Sequence, residues 1–90
     1  MITGRFRLKN RSGLHARPAA VFVQRCMKFK SEIIIEKGGR RANAKNILQV
    51  LALGVDFNDE ITVYVDGPDE ASAYAEIERL VEKELPEIDR

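Results

Sequence analysis

The chain holds one histidine, and the residues around it are of types that handle phosphate. His15 lies in the run Gly13-Leu14-His15-Ala16-Arg17-Pro18-Ala19-Ala20. A neutral imidazole nitrogen is a nucleophile on which a phosphoryl group can rest. Pro18 fits the first turn of a helix, where no amide donor is required of it, so the run reads as a loop entering a helix. Free amides at such a start, here those of Ala16 and Arg17, make an anion-binding position. The same positive end disfavours a second positive charge and so favours the uncharged ring. Arg17 adds a permanent cation whose fork matches phosphate oxygens. A lone histidine at a helix start is more commonly an ordinary surface residue. The convergence of imidazole, amides and guanidinium within three residues is what points to phosphoryl capture.

Other chemistries lack their parts. No second histidine, Ser-His-Asp set or nearby carboxylate accompanies His15 in sequence, and one histidine with a distant cysteine is a poor metal site. No glycine-rich nucleotide loop is present. The pattern fits a protein that is phosphorylated and passes the group on, rather than one that binds ATP and turns over substrate. Cys26 stands alone inside an apolar helical pattern and reads as a buried small hydrophobe.

The elements that must position His15 follow from periodicity. Residues 2–8 alternate, with Ile2, Phe6 and Leu8 opposite Thr3, Arg5 and Arg7, as in a half-buried strand. A helix is predicted over 16–28, with Ala19, Phe22, Val23, Cys26 and Phe29 as its buried stripe and Ala20, Gln24 and Met27 off it. Residues 32–37 and 40–43 read as a hairpin about Gly38-Gly39. Asn46 is placed to cap a short helix over 47–53 that Gly54 stops. Ile47, Val50 and Leu51 share one face of it and Leu48 lies well off, which is more apolar surface than so short a helix hides. A strand over 61–65 follows. Then comes a helix over 70–85, capped by Asp69, striped by Tyr74, Ile77, Leu80 or Val81, and Leu85, and ended by Pro86. The order βαββαβα predicts one α+β domain over residues 1–90, an antiparallel-dominated sheet with helices over one face.

Composition narrows the class. An apolar share of 44% and a charged share of 32% are those of a globular domain, and a net charge of +1 is not built around a polyanion. Nucleic acid is therefore not expected as a partner. Most Lys and Arg fall before residue 46 and most Asp and Glu after residue 55, which predicts a locally positive end. No run approaches the roughly 20 apolar residues of a membrane span, so no membrane association is expected and the cytoplasm is the expected compartment.

Gly13-Leu14-His15-Ala16-Arg17-Pro18 closely resembles the signature of HPr, the histidine-containing phosphocarrier of the bacterial phosphoenolpyruvate–sugar phosphotransferase system. Ser12, Phe22, Val23, Phe29, Asn43-Ala44-Lys45 and Leu51-Ala52-Leu53-Gly54 extend the likeness over the chain. The resemblance implies an open-faced β-sandwich, a four-stranded antiparallel sheet with three helices on one face. It implies that enzyme I passes a phosphoryl group from phosphoenolpyruvate to Nδ1 of His15, and that an enzyme IIA domain receives it. Arg17 would neutralise its charge, the Ala16 and Arg17 amides would bind its oxygens, and no metal or organic cofactor would be needed. Docking would fall on Ala20, Gln24, Met27, Ile47, Leu48 and Leu51, with Arg11, Arg17, Lys28 and Lys45 steering acidic partners. A monomer is expected of such a shuttle.

One departure stands out. Many relatives carry a regulatory serine where this chain has Asn46, which keeps the helix cap and removes the phosphate acceptor. A regulatory relative acting through binding is the alternative reading. So is a carrier in a nitrogen-related or dihydroxyacetone-kinase chain.

Overall fold

A computed structural model describes all residues, Met1–Arg90. Four strands, β1 (Ile2–Arg7), β2 (Glu32–Lys37), β3 (Arg40–Asn43) and β4 (Glu60–Asp66), form one sheet in the order β1-β4-β2-β3. Every pairing is antiparallel. The last strand in sequence takes an inner place, with Val65 opposite Ile2 on one side and Ile33 on the other. Period-two alternation sends Phe6, Ile33, Ile35, Ile61, Val63 and Val65 to one face, where all are buried under the helices. The opposite face is polar and open: the Tyr64 hydroxyl donates to Glu36 at 2.7 Å and the Arg41 guanidinium lies 4.8 Å above the Tyr64 ring.

Helices α1 (Ala16–Cys26) and α2 (Ile47–Leu53) pack on each other and close one half of the core. Helix α1 ends two residues before its expected limit, because the Lys28 and Phe29 amides bond back to Arg25 and Cys26, a tighter turn than the α-helix makes. Phe29 therefore leaves the helical stripe and packs half-buried beside it. Cys26 is fully buried, and burial pushes its thiol up to about 12. In α2 the Asn46 side chain accepts from the Gln49 amide at 3.2 Å, and Gly54 closes the helix at φ +69.

The third helical run departs from expectation at both ends. Asp69 stands at its start but does not cap it: the carboxylate instead accepts from the Lys30 amide at 2.8 Å, the Ser31 amide at 2.9 Å and the Ser31 hydroxyl. The run passes from α3 (Glu70–Arg79) through a π-helical turn (Leu80–Glu84) into α4 (Leu85–Ile88), so Pro86 does not end it. The wide turn, with the Leu85 amide bonded to the Leu80 carbonyl, accommodates a proline that has no N–H and whose ring would crowd Glu82 in a regular helix. It also lets the consecutive residues Leu80 and Val81 both face the core.

The basic first half and acidic second half are not left apart. The Arg25 guanidinium reaches Glu84 at 2.6 and 3.0 Å and Glu76 at 2.7 Å, and Lys9 reaches Glu82 at 2.7 Å. Part of the basic half is thereby paired, while Arg5, Arg11, Arg17, Lys28, Lys30, Arg40 and Lys45 form no ion pair.

The Ser31 hydroxyl and the Lys30 and Ser31 amides hold the Asp69 carboxyl down at about 2. These bonds favour the ionised form, so their contribution is complete above about pH 4 and is lost as the pH falls towards 2. In Asp69→Asn the fall of the thermal midpoint between about pH 4 and pH 2 should be visibly shallower than in the unaltered protein. Parallel profiles over that range would refute the assignment.

Candidate functional site

The loop that ends at His15 is fastened to the loop between α2 and β4. The Leu14 amide donates to the Val55 carbonyl at 2.9 Å, and the Leu14 side chain is fully buried. Gly13, at φ +62, makes the approach possible: a Cβ there would strike the Val55 carbonyl oxygen and stand 2.6 Å from the Asp56 carbonyl carbon. His15 follows in extended conformation (φ −123, ψ 158) at the N-cap position of α1.

The junction brings a carboxylate to the imidazole. His15 Nε2 lies 2.7 Å from Asp56 Oδ1, with the ring 41% and the carboxylate side chain 69% exposed. An ionised carboxylate only accepts, so Nε2 carries the hydrogen and the lone pair is on Nδ1. No group of the chain bonds Nδ1. Behind the pair, the Asp59 carboxylate accepts from the Asp56 amide and from Lys37 Nζ at 2.7 and 2.8 Å, which fixes the turn. The Lys37 ammonium and the Asp56 amide lower the Asp59 carboxyl below its usual range. Asp56 was not legible as a site residue: it lies 41 positions from His15, and its only local signal is a polar turn after Gly54.

The other residues named for the site gather at the same helix start. The Ala16 and Arg17 amides have no partner within the chain, and Arg17 is exposed and forms no ion pair. Ala16 sits at φ +50, a conformation that costs an alanine roughly 1–3 kcal/mol and is held here by the junction before it and the helix after it. Pro18 is buried in the first turn. From the other side the C-terminal Asp89 clamps the loop: its carboxylate accepts from the Ser12 amide at 2.7 Å, Asn10 Nδ2 at 2.9 Å and the Ser12 hydroxyl at 3.1 Å. Those contacts, the Ser12 amide foremost, lower the Asp89 carboxyl.

The six predicted docking residues fall on α1, its C-cap Met27 and α2. Gln24, Met27, Ile47, Leu48 and Leu51 are exposed, Leu48 and Met27 most of all at 75% and 61%, and Ala20 is half-buried. A shallow hollow of about 240 Å³ brings Ala20, Val23 and Gln24 of α1 against Ile47 of α2. Val50 and Leu53 supply the buried face of α2, which leaves Ile47 and Leu51 at its margin. Ala20 is five residues from His15, or about 7.5 Å along the helix.

The family model described as the phosphorylation site of the PTS HPr component matches residues 2–83. The chain is 40% identical to the phosphocarrier protein HPr of Treponema pallidum (strain Nichols), over 97% of this chain and 99% of that one. The crystal structure of HPr-C-His from Thermoanaerobacter tengcongensis superposes with a TM-score of 0.92 at 39% identity, covering 94% of this chain and 96% of that one. Crh of Bacillus subtilis, described as a catabolite-repression protein and a domain-swapped dimer, superposes at 0.74 with 35% identity, covering 94% and 98%. The four-stranded open sheet with helices on one face is the fold of histidine-containing phosphocarriers. The chain belongs to the HPr family, whose members carry phosphoryl groups rather than catalyse a turnover of their own.

The Gly13 contact can be weighed against a glycine with open space around it. Gly13→Ala is expected to lower unfolding free energy by about 2 kcal/mol or more, from backbone strain plus overlap with residues 55 and 56. Gly38→Ala, with nothing within 4 Å of its Cβ, should lose only the backbone part, about 1 kcal/mol. Urea melts of the two variants read the difference; equal losses would remove the close approach as a determinant.

Proposed function

We propose that this protein accepts a phosphoryl group on Nδ1 of His15 from enzyme I, with phosphoenolpyruvate as the ultimate source, and delivers it to an enzyme IIA domain. What supports the reading most is the ring itself. Its Nε2–H is engaged by Asp56, and Nδ1, without a partner in the chain on a ring 41% exposed, stands at the start of an 11-residue helix. The Nδ1 lone pair attacks phosphorus while the donor's leaving atom keeps the electron pair of the broken bond. The Ala16 and Arg17 amides and the Arg17 guanidinium meet the phosphoryl oxygens in both directions of transfer.

Docking by the exposed residues of α1 and α2, next to this site, suits a partner that must come and go: a small apolar centre with charged residues at its rim. Asn46 caps α2 through its side chain and offers no hydroxyl, so the kinase that phosphorylates a serine in relatives has no acceptor at this position. The protein acts as a monomer in the cytoplasm. The likeness to Crh favours one further reading, a regulatory protein that works by binding through the same surface; a nucleophile at residue 15 favours the carrier.

Incubation with phosphoenolpyruvate, Mg²⁺ and enzyme I should add about 80 Da as an acid-labile, base-stable group that is absent in His15→Ala. Arg17→Glu should slow loading and unloading by about tenfold or more, the scale of a lost charge-assisted hydrogen bond, at unchanged thermal midpoint. Leu48→Asp should weaken enzyme I binding by about tenfold while leaving the fold unaltered. A protein that binds enzyme I yet gains no mass would favour the regulatory reading.

A further inference from the structure

We propose that Asp56 is a positioning residue for phosphoryl transfer: its carboxylate holds the Nε2 hydrogen of His15 while Nδ1 carries the phosphoryl group, and so keeps that group ready to leave. The inference rests on the carrier reading above and concerns the state after loading.

The charge on the ring changes during the cycle although no proton moves. Before loading, the imidazole is neutral, with hydrogen on Nε2 and a lone pair on Nδ1. Bond formation commits that lone pair to phosphorus, and the ring becomes a phosphorylated imidazolium whose positive charge is shared with Nε2–H. On delivery the P–N electron pair returns to Nδ1 and the neutral ring is restored. If the loaded ring instead lost its Nε2 hydrogen to solvent, the group would sit on a neutral ring, whose nitrogen leaves as an anion and therefore poorly. A carboxylate 2.7 Å from Nε2 opposes that loss, because it bonds the hydrogen and pairs with the cation.

The surroundings leave Asp56 as the group suited to this role. Arg17, two residues on in α1, bears the same sign as the loaded ring and belongs to the phosphoryl side. Asp59 and Lys37 pair with each other behind the turn, where Asp59 takes the Asp56 amide rather than the ring. On the near side of the loop, Asp89 is spent on Asn10 and Ser12, with Arg11 beside it. The pair is open to solvent, so its effect is that of a screened ion pair, modest in size and sensitive to salt.

The unaltered protein, Asp56→Asn and Asp56→Ala are loaded with phosphoenolpyruvate and enzyme I. The phosphohistidine ³¹P and ring-proton resonances are then followed as pH is raised, with the first-order loss of phosphate. Both variants should show the ring of the loaded form titrating about half a pH unit lower, with phosphate loss about threefold slower above that midpoint and equal well below it. The difference should shrink in 1 M salt, where the screening length is about 3 Å. Loaded variants with an unmoved midpoint overturn the role of Asp56 even if their melting temperatures fall, since a merely structural contact would change only the latter. Failure of the unaltered protein to load overturns the carrier reading, and this inference with it.

Discussion

The hydrogen bond from the Leu14 N–H to the Val55 carbonyl, together with two that pair Leu8 with Asn58 and Asp59, joins the two loops around His15. It forms at 2.9 Å because residue 13 has no Cβ to hold the chains apart and because the buried Leu14 side chain anchors the loop to the core. Its consequences are local and directional. The next residue on one chain is His15, the next on the other is Asp56, and their side chains meet. The pairing of Asp56 with Nε2, which leaves the lone pair on Nδ1, and the left-handed Ala16 at the head of α1 both lie within two residues of this contact. Loops joined only through exposed side chains would not hold a ring so closely, because each such contact competes with water.

Two further carboxylates, Asp89 and Asp59, brace the loops of the same junction. The third helical run continues past Pro86 through its π turn, and the Asp89 carboxylate then reaches Asn10 and Ser12. Asp59 and Lys37 hold the opposite loop. Carboxylates of the acidic half serve as acceptors for amides and cations of the basic half, from Asp69 at Ser31 to Glu84 at Arg25. The charge asymmetry along the sequence is in this sense partly a folding pattern. Arg5, Arg11, Arg17, Lys28, Lys30 and Arg40 lie outside this pairing and are exposed.

The proposed docking surface has a different origin. Helix α2 has seven residues and buries only Val50 and Leu53, so the apolar side chains of Ile47, Leu48 and Leu51 exceed what the core takes up. Together with Met27 they leave apolar side chains uncovered on α2 and at the end of α1. No helix of the chain is long and apolar enough to cross a membrane. A second protein surface is the natural cover for such an area, and a limited area permits release.

Local sequence sufficed wherever the determining interactions lie within a few residues. The alternation of β1 and β4, the Asn46 cap and Gly54 stop of α2, the turn at Gly38-Gly39 and the run from Gly13 to Pro18 were all legible, since periodicity, capping and turn geometry act over one to four positions. The ends of helices were less so: α1 tightens after Cys26, and Asp69 trades a cap for Ser31 because a better set of donors arrives from the turn before β2. A proline read as a stop is absorbed by a π turn that lets both Leu80 and Val81 enter the core. Asp56 at the ring and Asp89 at the loop were decided by tertiary structure alone. Each meets its partner across a large sequence separation, where nothing in residue type or spacing says which carboxylate of many will be the one brought within hydrogen-bonding distance.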